Sequence, residues 1–435
     1  MSFRWLKAAL AAALMLATPL ALASGFHIYE QGAKASAQAV AFIARADDPS
    51  ANWYNPAGLV TFDRPTIALG GSLVFLGDTQ FDSNMDQISP VLWKGGTWDM
   101  EDNTGTPVHL YYIQPLGKSF VLGFGVTTPF GLVTEWPAKS DPRLSSRKAD
   151  LESVVYNLNG AFNFGCGWSG AVGVDYIDAS LNSFSRNVSL RSLNPNLSAE
   201  PYANLAGDGD DFGYNAALRF ASETFAFGAF YRSGYHVTLD GDLTFSDVPS
   251  IPLPGGANVK DLFPDSPASG TLDLPASYGA GVAFMPNKNW EFEFDIQVMQ
   301  WSDFEELSVD VEKQTPAVGD IYQLENWDNT YSYRFGTSYG FGTDESSEIR
   351  AGAYYETSAI PTETLRPSIP DSDRWGVSIG YGYKGKHFFI DAYYMYIWLD
   401  DVSTSQSEFF ADNSVMWGTY SSELSLLGVT GGWRF

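Results

Sequence analysis

Cysteine and histidine are scarce in this chain. Cys166 is the one cysteine among 435 residues, so an intramolecular disulfide is excluded, and its Gly-Cys-Gly context is typical of an inert thiol at a turn. The histidines are His27, His109, His236 and His387, and they form no metal-binding or hydrolase motif. We expect each histidine to be solvated or interfacial, no catalytic residue, no metal site and no cofactor.

Positive charge is also in short supply. The chain has 25 Lys and Arg against 51 Asp and Glu, a formal net charge of -26. Such a balance argues against nucleic acid as a partner. Many acids lie in candidate loops, such as Asp303, Glu305 and Glu306, which predicts a solvated acidic outer surface. A weaker hypothesis is that these acids bridge divalent cations to lipopolysaccharide.

Long hydrophobic runs are absent beyond the N-terminus, which excludes membrane-spanning helices but leaves barrel strands possible. Residues 1–23 contain Arg4 and Lys7, an apolar stretch over 8–17, and small residues at Ala21 and Ala23. This pattern predicts a cleaved signal peptide and an exported mature chain. An uncleaved anchor is the alternative.

Alternation of apolar and polar residues is the main signal in the mature chain. Between 290 and 298 every second residue is aromatic or aliphatic, and Glu291, Glu293 and Asp295 lie among them. Segments 331–341 and 375–383 alternate aromatic with mostly small residues. Aromatic residues outside and small or polar residues inside are typical of strands that face lipid.

About fourteen strands are predicted. Short connections alternate with long ones, as periplasmic turns alternate with extracellular loops in outer-membrane barrels. We therefore predict an all-β, transmembrane antiparallel β-barrel; a secreted β-sandwich or propeller is the alternative. The predicted strands are 66–76, 108–114, 120–128, 151–164, 170–187, 211–220, 225–245, 271–284, 290–304, 331–341, 349–357, 375–383, 388–399 and 423–435.

The final strand ends on Phe435, with Leu427, Val429 and Trp433 on the same parity. Such a strand resembles the recognition signal that outer-membrane proteins present to the barrel assembly machinery. We therefore expect that machinery as a partner, and the outer membrane of a Gram-negative bacterium, with its lipid and lipopolysaccharide, as the location.

Residues 24–64 do not have the pattern of a barrel strand. They are rich in Ala and Gly, and they contain a tight turn over 52–58. A periplasmic tail is one interpretation, but the turn favours a packed element that plugs the lumen. The predicted organisation is a signal peptide at 1–23, an N-terminal hatch at 24–64 and an outer-membrane β-barrel at 65–435.

A series of short motifs occurs in order over nearly the whole chain. The motifs are Ser24-Gly25-Phe26, Asn55-Pro56-Ala57, Phe62-Asp63-Arg64-Pro65, Gly123-Phe124-Gly125, Pro129-Phe130-Gly131-Leu132, Thr134-Glu135-Trp136, Leu274-Pro275-Ala276-Ser277, Gln300-Trp301-Ser302-Asp303-Phe304 and Ile369-Pro370-Asp371-Ser372-Asp373-Arg374-Trp375. As a set, they resemble the FadL family of outer-membrane transporters for long-chain fatty acids and other hydrophobic compounds.

The resemblance implies a fourteen-stranded barrel whose hatch contains the Asn55-Pro56-Ala57 turn, with Phe26 in an inserted N-terminus. It also implies capture of ligand at the extracellular loops, transfer to a pocket above the hatch, and sideways release where the third strand kinks. The expected function is passive uptake of long-chain fatty acids or, alternatively, of aromatic hydrocarbons. The expected ligand is therefore a hydrophobic small molecule, and we expect a monomer.

The segment that matches the kinked strand contains Gly123 and Gly125, followed by Pro129 and Phe130. Proline cannot donate a ladder hydrogen bond and glycine weakens a strand, so this segment is suited to bend. These four residues are the candidates for a lateral opening.

Two long loops are unusually apolar, and their residues either pack each loop against itself or contact ligand. The candidates for ligand capture are Leu193, Leu197, Leu205, Ile251, Leu253, Leu262 and Phe263. Two other classes stay open: an outer-membrane enzyme, which lacks motif support, and a general porin, which the hatch-like segment disfavours.

Overall fold

The computed structural model describes residues 25–192, 194–253, 255–343, 346–411 and 414–435. The predicted signal peptide lies outside the described residues. No helix among the described residues is long and apolar enough to cross a membrane.

Fourteen antiparallel strands form a closed barrel, because the first strand pairs with the last from Thr66 and Arg434 to Leu76 and Leu424. The fourteen-stranded barrel predicted from the sequence is thereby confirmed. The strands are β1 (Thr66–Leu76), β2 (Thr104–Gly105 and Val108–Pro115), β3 (Phe120–Thr127 and Gly131–Glu135), β4 (Lys148–Gly165), β5 (Trp168–Asn187), β6 (Tyr202–Ala221), β7 (Phe225–Arg232 and Tyr235–Ser246), β8 (Ser266–Leu274 and Ser277–Phe284), β9 (Trp290–Met299 and Glu306–Val311), β10 (Thr330–Phe341), β11 (Ser347–Glu356), β12 (Arg374–Lys384), β13 (Phe388–Leu399) and β14 (Glu423–Arg434).

The alternation in the sequence becomes the two faces of the wall. In β9, Phe294 and Ile296 are exposed on the outside, whereas Glu291, Glu293 and Asp295 are buried in the lumen. Successive side chains of a strand point to opposite faces, so one strand can meet lipid and enclose polar groups at once.

Several strands differ from their predicted bounds at the extracellular end. β6 begins at Tyr202, nine residues before the predicted start at 211. The prediction missed residues 202–210 because they lack the aromatic alternation of the lipid-facing part. β9 continues beyond a 3₁₀ turn at Trp301–Asp303, and β3 resumes at Gly131 after a break. These extensions lie above the lipid-facing band, so their outward-facing side chains do not contact lipid and need not be apolar.

Smaller elements complete the extracellular side. A four-stranded sheet joins Gln80–Ser83, Gly96–Asp99, Val402–Ser403 and Gly418–Ser421, and Ile321–Leu324 pairs with the outer part of β9. The helices are α1 (Ala33–Ser36), α2 (Ala51–Tyr54) and α3 (Gln406–Ala411). Other 3₁₀ turns span Pro56–Thr61, Met85–Gln87, Pro142–Leu144, Leu190–Ser192 and Val259–Leu262.

Residues 25–62 pack against inward-facing groups of the barrel wall and are almost entirely buried. Their hydrogen bonds reach strands in different parts of the barrel. The Ala33 N–H donates to Thr430 Oγ1 of β14 over 3.0 Å, and Asn52 Nδ2 donates to Asn157 Oδ1 of β4 over 2.7 Å. This N-terminal segment, α1 and α2 included, therefore packs against the inward face of the wall, and several of its residues belong to the main hydrophobic cluster.

Candidate functional site

An apolar cavity lies at the extracellular ends of the strands. Inward-facing residues of seven successive strands line it, together with loop residues Trp327, Ile360 and Ile369, and Phe26 of the N-terminal segment. Its volume is about 100 Å³. We call it the inner cavity. The strand residues are Leu132, Leu151, Leu181, Phe184, Leu205, Leu239, Leu272 and Val309.

A larger groove of about 930 Å³ lies among the extracellular loops, and we call it the outer groove. It adjoins the inner cavity, because Phe184, Leu205, Gln323 and Thr364 line both. Together the two spaces extend from the loops, where the lining is mixed, to the mostly apolar surroundings of Phe26.

Two of the residues predicted to capture ligand contact these spaces. Leu205 lines both, and Phe263 lines the outer groove. The others among the described residues, Leu197, Ile251, Leu253 and Leu262, are partly buried in one hydrophobic cluster with Phe263. Leu193 lies outside the described residues.

Most residues of the inner cavity were missed at the sequence level, although a signal for them exists. In the outer half of β7, Val237, Leu239 and Leu243 point inward, whereas His236 and Asp240 point outward. This is the reverse of the membrane-spanning pattern. Apolar residues on the lumen parity of a strand mark the part of the wall that encloses the cavity.

Phe26 is surrounded by aromatic rings. Its ring centroid lies 4.8 Å from that of Trp301, 5.9 Å from Trp327 and 6.3 Å from Phe130. The preceding Gly25 has φ +61°, and a Cβ there would lie 2.7 Å from Trp327 and 2.8 Å from Trp301. Only glycine fits at that position without strain or a clash.

β3 is interrupted beside Phe26. Its ladder with β2 ends at the pair Leu110 and Val126. On the β4 side, Thr127 pairs with Val155 and Gly131 pairs with Glu152. Three residues of β3, 128–130, therefore lie opposite two residues of β4, 153 and 154. This is a β-bulge of one extra residue, and a bulge bends the strand that contains it. The predicted candidates Pro129 and Phe130 lie in the bulge.

The N-terminal segment pairs with β3 at this bulge. The Ile28 N–H donates to the Pro129 carbonyl over 2.7 Å, and the Gly131 N–H donates to the Phe26 carbonyl over 2.9 Å. Ser153 Oγ lies 3.0 Å from the Phe130 N and 2.7 Å from its carbonyl oxygen. Residues 26–28 therefore supply the backbone partner that β3 lacks after it leaves β2.

Gly123 and Gly125 lie elsewhere, in the part of β3 that pairs with β2 and β4 on both sides. A Cβ at Gly123 would clash with Asn52 Oδ1, and one at Gly125 would lie 2.7 Å from Asn52 Nδ2. Both glycines therefore make room for the N-terminal segment, a reason that sequence reasoning about strand bending did not supply.

The turn at Asn55, Pro56 and Ala57 forms hydrogen bonds both within the N-terminal segment and to the barrel wall. Asn55 Oδ1 accepts from the Ala57 N–H over 3.1 Å, and Asn55 Nδ2 donates to the carbonyls of Ile43 over 2.8 Å and Leu218 over 3.3 Å. Pro56 begins the 3₁₀ turn, where its missing N–H costs nothing.

Wall carboxylates hold the N-terminal segment by its backbone. Asp295 Oδ2 accepts from the N–H groups of Phe42 over 2.7 Å and Ile43 over 2.9 Å, and Glu293 Oε1 accepts from the Ala44 N–H over 2.6 Å. The sequence predicts inward carboxylates, but it has no signal for their backbone partners. The lumen also contains ion pairs, such as Arg350 with Asp391 at 2.6 Å and Arg334 with Glu356 at 3.2 Å.

The expectation that all four histidines are solvated or interfacial is wrong for two of them. His27 packs against the rings of Tyr29 and Phe130, and His109 is buried with Nε2 2.8 Å from Thr430 Oγ1. Burial, reinforced by nearby Arg residues, lowers the pKa of His27 to about 3. Within the described part of the chain, no three His, Cys, Asp or Glu residues could hold a metal ion.

Comparisons with known proteins agree with this architecture. The family model described as outer membrane protein transport protein (OMPP1/FadL/TodX) matches residues 14–435. The long-chain fatty acid transport protein of Escherichia coli O6:H1 is 27% identical over 420 residues, 87% of each chain. Outer membrane protein P1 of Haemophilus influenzae is 26% identical over 416 residues, 86% of each chain.

Solved structures share the fold. A FadL homologue of Pseudomonas aeruginosa superposes with a TM-score of 0.77 at 17% identity, covering 94% of this chain and 100% of that one. The toluene transporter TodX of P. putida gives 0.70 at 18% identity, covering 89% and 94%. Since the family model spans nearly the whole chain, this outer-membrane β-barrel protein belongs to the FadL/TodX family of outer-membrane transport proteins.

Proposed function

We propose that this protein is a passive transporter, and not an enzyme, that takes up hydrophobic molecules across the outer membrane. Relatives are named for long-chain fatty acid transport and for toluene transport, which gives two candidate ligand classes. The observation that supports the proposal best is the apolar path from the outer groove through the inner cavity to Phe26, beside the bulge in β3.

Ligand capture takes place at the outer groove. Hydrophobic molecules dissolve poorly in water, so a route that offers apolar surface at each stage favours their transfer. Tyr322 and Leu324 expose apolar side chains at this groove, and Phe263 and Leu205 extend the surface inward.

The N-terminal segment acts as the hatch, with the residues 24–64 predicted from the sequence. It fills the lumen below the inner cavity, so a ligand meets Phe26 and does not pass straight through. Displacement of Phe26 by an arriving ligand opens the way onward. This arrangement differs from that of a general porin, which keeps a water-filled channel.

Release is sideways, at the bulge of β3, between β2 and the outer half of β3. A ligand that leaves there enters the membrane and never crosses the aqueous periplasm. The cost of rehydrating its chain, about 0.8 kcal/mol for each CH₂, therefore does not arise at this step. The protein works as a monomer surrounded by lipid and lipopolysaccharide.

A deletion tests the sideways route. Deleting Pro129 leaves two residues facing two, which allows the ladder between β3 and β4 to run without a bulge. We expect cells with this variant to lose uptake of labelled toluene, while the purified protein still binds it. The matched control Pro129→Ala retains the extra residue and the uptake.

The outcome that overturns this route is equally clear. If the deletion variant took up ligand at the normal rate, and its gel mobility before boiling showed that it was folded, then ligand would pass through the hatch instead.

A second variant, Leu205→Asp, places a charge where the outer groove and the inner cavity meet. It should abolish both binding and uptake, and normal uptake by it would refute the whole apolar path.

A further inference from the structure

The charged groups of the inner cavity are few and already paired. Its lining contains three charged side chains, Asp150, Glu325 and Arg366, among otherwise mostly apolar residues. The side chains of Glu325 and Arg366 are 7% and 4% exposed, and Arg366 Nη1 lies 2.9 Å from Glu325 Oε2. The one cation in this lining thus has a carboxylate partner within the protein.

The remaining donors of Arg366 are occupied as well. Nη1 also donates to the Thr364 carbonyl over 3.0 Å, Nη2 to the Leu324 carbonyl over 2.8 Å, and Nε to Ser414 Oγ over 2.5 Å. A guanidinium held in this way at all three nitrogens is fixed in place and has little left to offer a ligand.

Glu325 is held in place too. Its Oε1 accepts from Gln323 Nε2 over 2.8 Å, and its Oε2 accepts from Trp327 Nε1 over 3.0 Å in addition to Arg366. Burial raises the pKa of Glu325, and the contacts from Arg366, Gln323 and Trp327 oppose that rise. The second acid, Asp150, pairs with Lys148 at 3.0 Å, and Lys148 does not line the cavity.

Among the described residues that line this space, no cation remains to pair with an ionised carboxylate of a ligand. Removing such a group from water without a counterion is costly. The outer groove does not impose the same restriction, because its Arg186, Asp320 and Glu363 are exposed to solvent. Discrimination between charged and uncharged ligands therefore falls on the inner cavity.

We propose that the inner cavity selects uncharged hydrophobic ligands, such as arenes, long-chain alcohols or fatty esters, and excludes ionised fatty acids. This selectivity rests on the proposed uptake of hydrophobic molecules and names the ligand class within it. Arg366 acts here through its pairing with Glu325, which withholds the cation from a ligand carboxylate.

A pair of ligands with the same chain tests the selectivity. Oleyl alcohol and oleate differ in their headgroup, and their binding to the purified full-length protein is measured at pH 8, with protein-free detergent as the blank. We expect the alcohol to bind at least about tenfold more tightly, about 1.4 kcal/mol. Equal or tighter binding of oleate would overturn the selectivity, whereas failure of both ligands to bind would overturn the proposed transport function.

A substitution of Glu325 tests whether its ion pair with Arg366 causes the selectivity. Glu325→Gln preserves the size of the side chain but leaves Arg366 without its counterion, so binding of oleate should strengthen by about tenfold while binding of oleyl alcohol stays unchanged. The matched control is Glu305→Gln, an exposed acid in the same loop, which should change neither ligand. Unchanged oleate binding in a folded Glu325→Gln variant would refute the role of this ion pair.

Discussion

Replacing Asp295 by alanine should loosen the N-terminal segment while leaving the barrel closed. Asp295 lies on the lumen face of β9, and one of its oxygens accepts two backbone hydrogen bonds, from Phe42 and Ile43. Alanine removes both bonds and leaves two buried N–H groups without their acceptor. The barrel strands pair through their own backbone, so their ladder does not depend on this side chain.

The expected magnitude follows from these two bonds. Leaving a buried N–H without its acceptor costs about 1–3 kcal/mol, so leaving two costs about 2–6 kcal/mol. Removing Asp295 also relieves its repulsion with Glu293, which favours the lower end of that range. A loss of about 3 kcal/mol corresponds to roughly a hundredfold larger population in which residues 42–45 have left the wall.

Ion conductance in planar bilayers measures that population, since a displaced segment opens a water-filled path. We expect openings in Asp295→Ala far more often than in the wild-type protein. Asp295→Asn is the matched control, because its amide oxygen can accept both bonds, and its effect should be much smaller. Asp310→Ala removes an exposed acid from the outer part of the same strand and should have no effect.

The reasoning would be refuted by a folded Asp295→Ala protein that conducts no more than the wild type. In that case, other contacts of the segment, such as the carboxylate of Glu293 or the donors around Asn52, would suffice to hold it.

Two further predictions concern the wall and the effect of pH. Phe294→Arg places a charge near the middle of the lipid-facing surface and should destabilise the barrel by about 2–4 kcal/mol in urea titrations, whereas Phe284→Arg, near the periplasmic turn, should cost about 0–1 kcal/mol. Burial raises the pKa of Glu30, in the N-terminal segment, to about 7 from a usual 4.5. Its contribution to holding the segment is therefore greatest below about pH 4.5 and is lost as the pH rises through 7, by about 3 kcal/mol at most. Protection factors of the segment's amides, which remove the intrinsic dependence of hydrogen exchange on pH, should be lower at pH 8 than at pH 5. Glu30→Gln should reduce that difference, and an unchanged difference would contradict this role of Glu30.

Much of the barrel was predictable because lipid on one side and polar groups on the other impose alternation on each strand. The bounds of β1 and β13 match those predicted, since both strands lie within the band where this contrast is strong. The outer halves of β6 and β9 were missed, because above the membrane the apolar side chains, such as Leu205 and Val309, face the lumen and the expected alternation is reversed.

The candidate site was predictable only in part, because many of its contacts join residues that are far apart in the sequence. Leu205 and Phe263 were predicted from local apolar character, Pro129 from its chemistry, and Phe26 from the family resemblance. The contacts of Asp295 with Phe42 and of Arg366 with Glu325 join residues that are distant in the sequence. No periodicity along a single strand indicates which strand will face which part of the N-terminal segment.

The pairing of residues 26–28 with β3 has a thermodynamic consequence. The hydrogen bonds that hold residues 26–28 also satisfy the free edge of β3. Detaching the N-terminal segment therefore exposes that edge, and moving the edge away releases the segment. The two events therefore share one coupling free energy, and that coupling acts equally in both directions. A ligand that displaces Phe26 makes β3 easier to bend, and a lipid environment that stabilises a bent β3 makes Phe26 easier to displace.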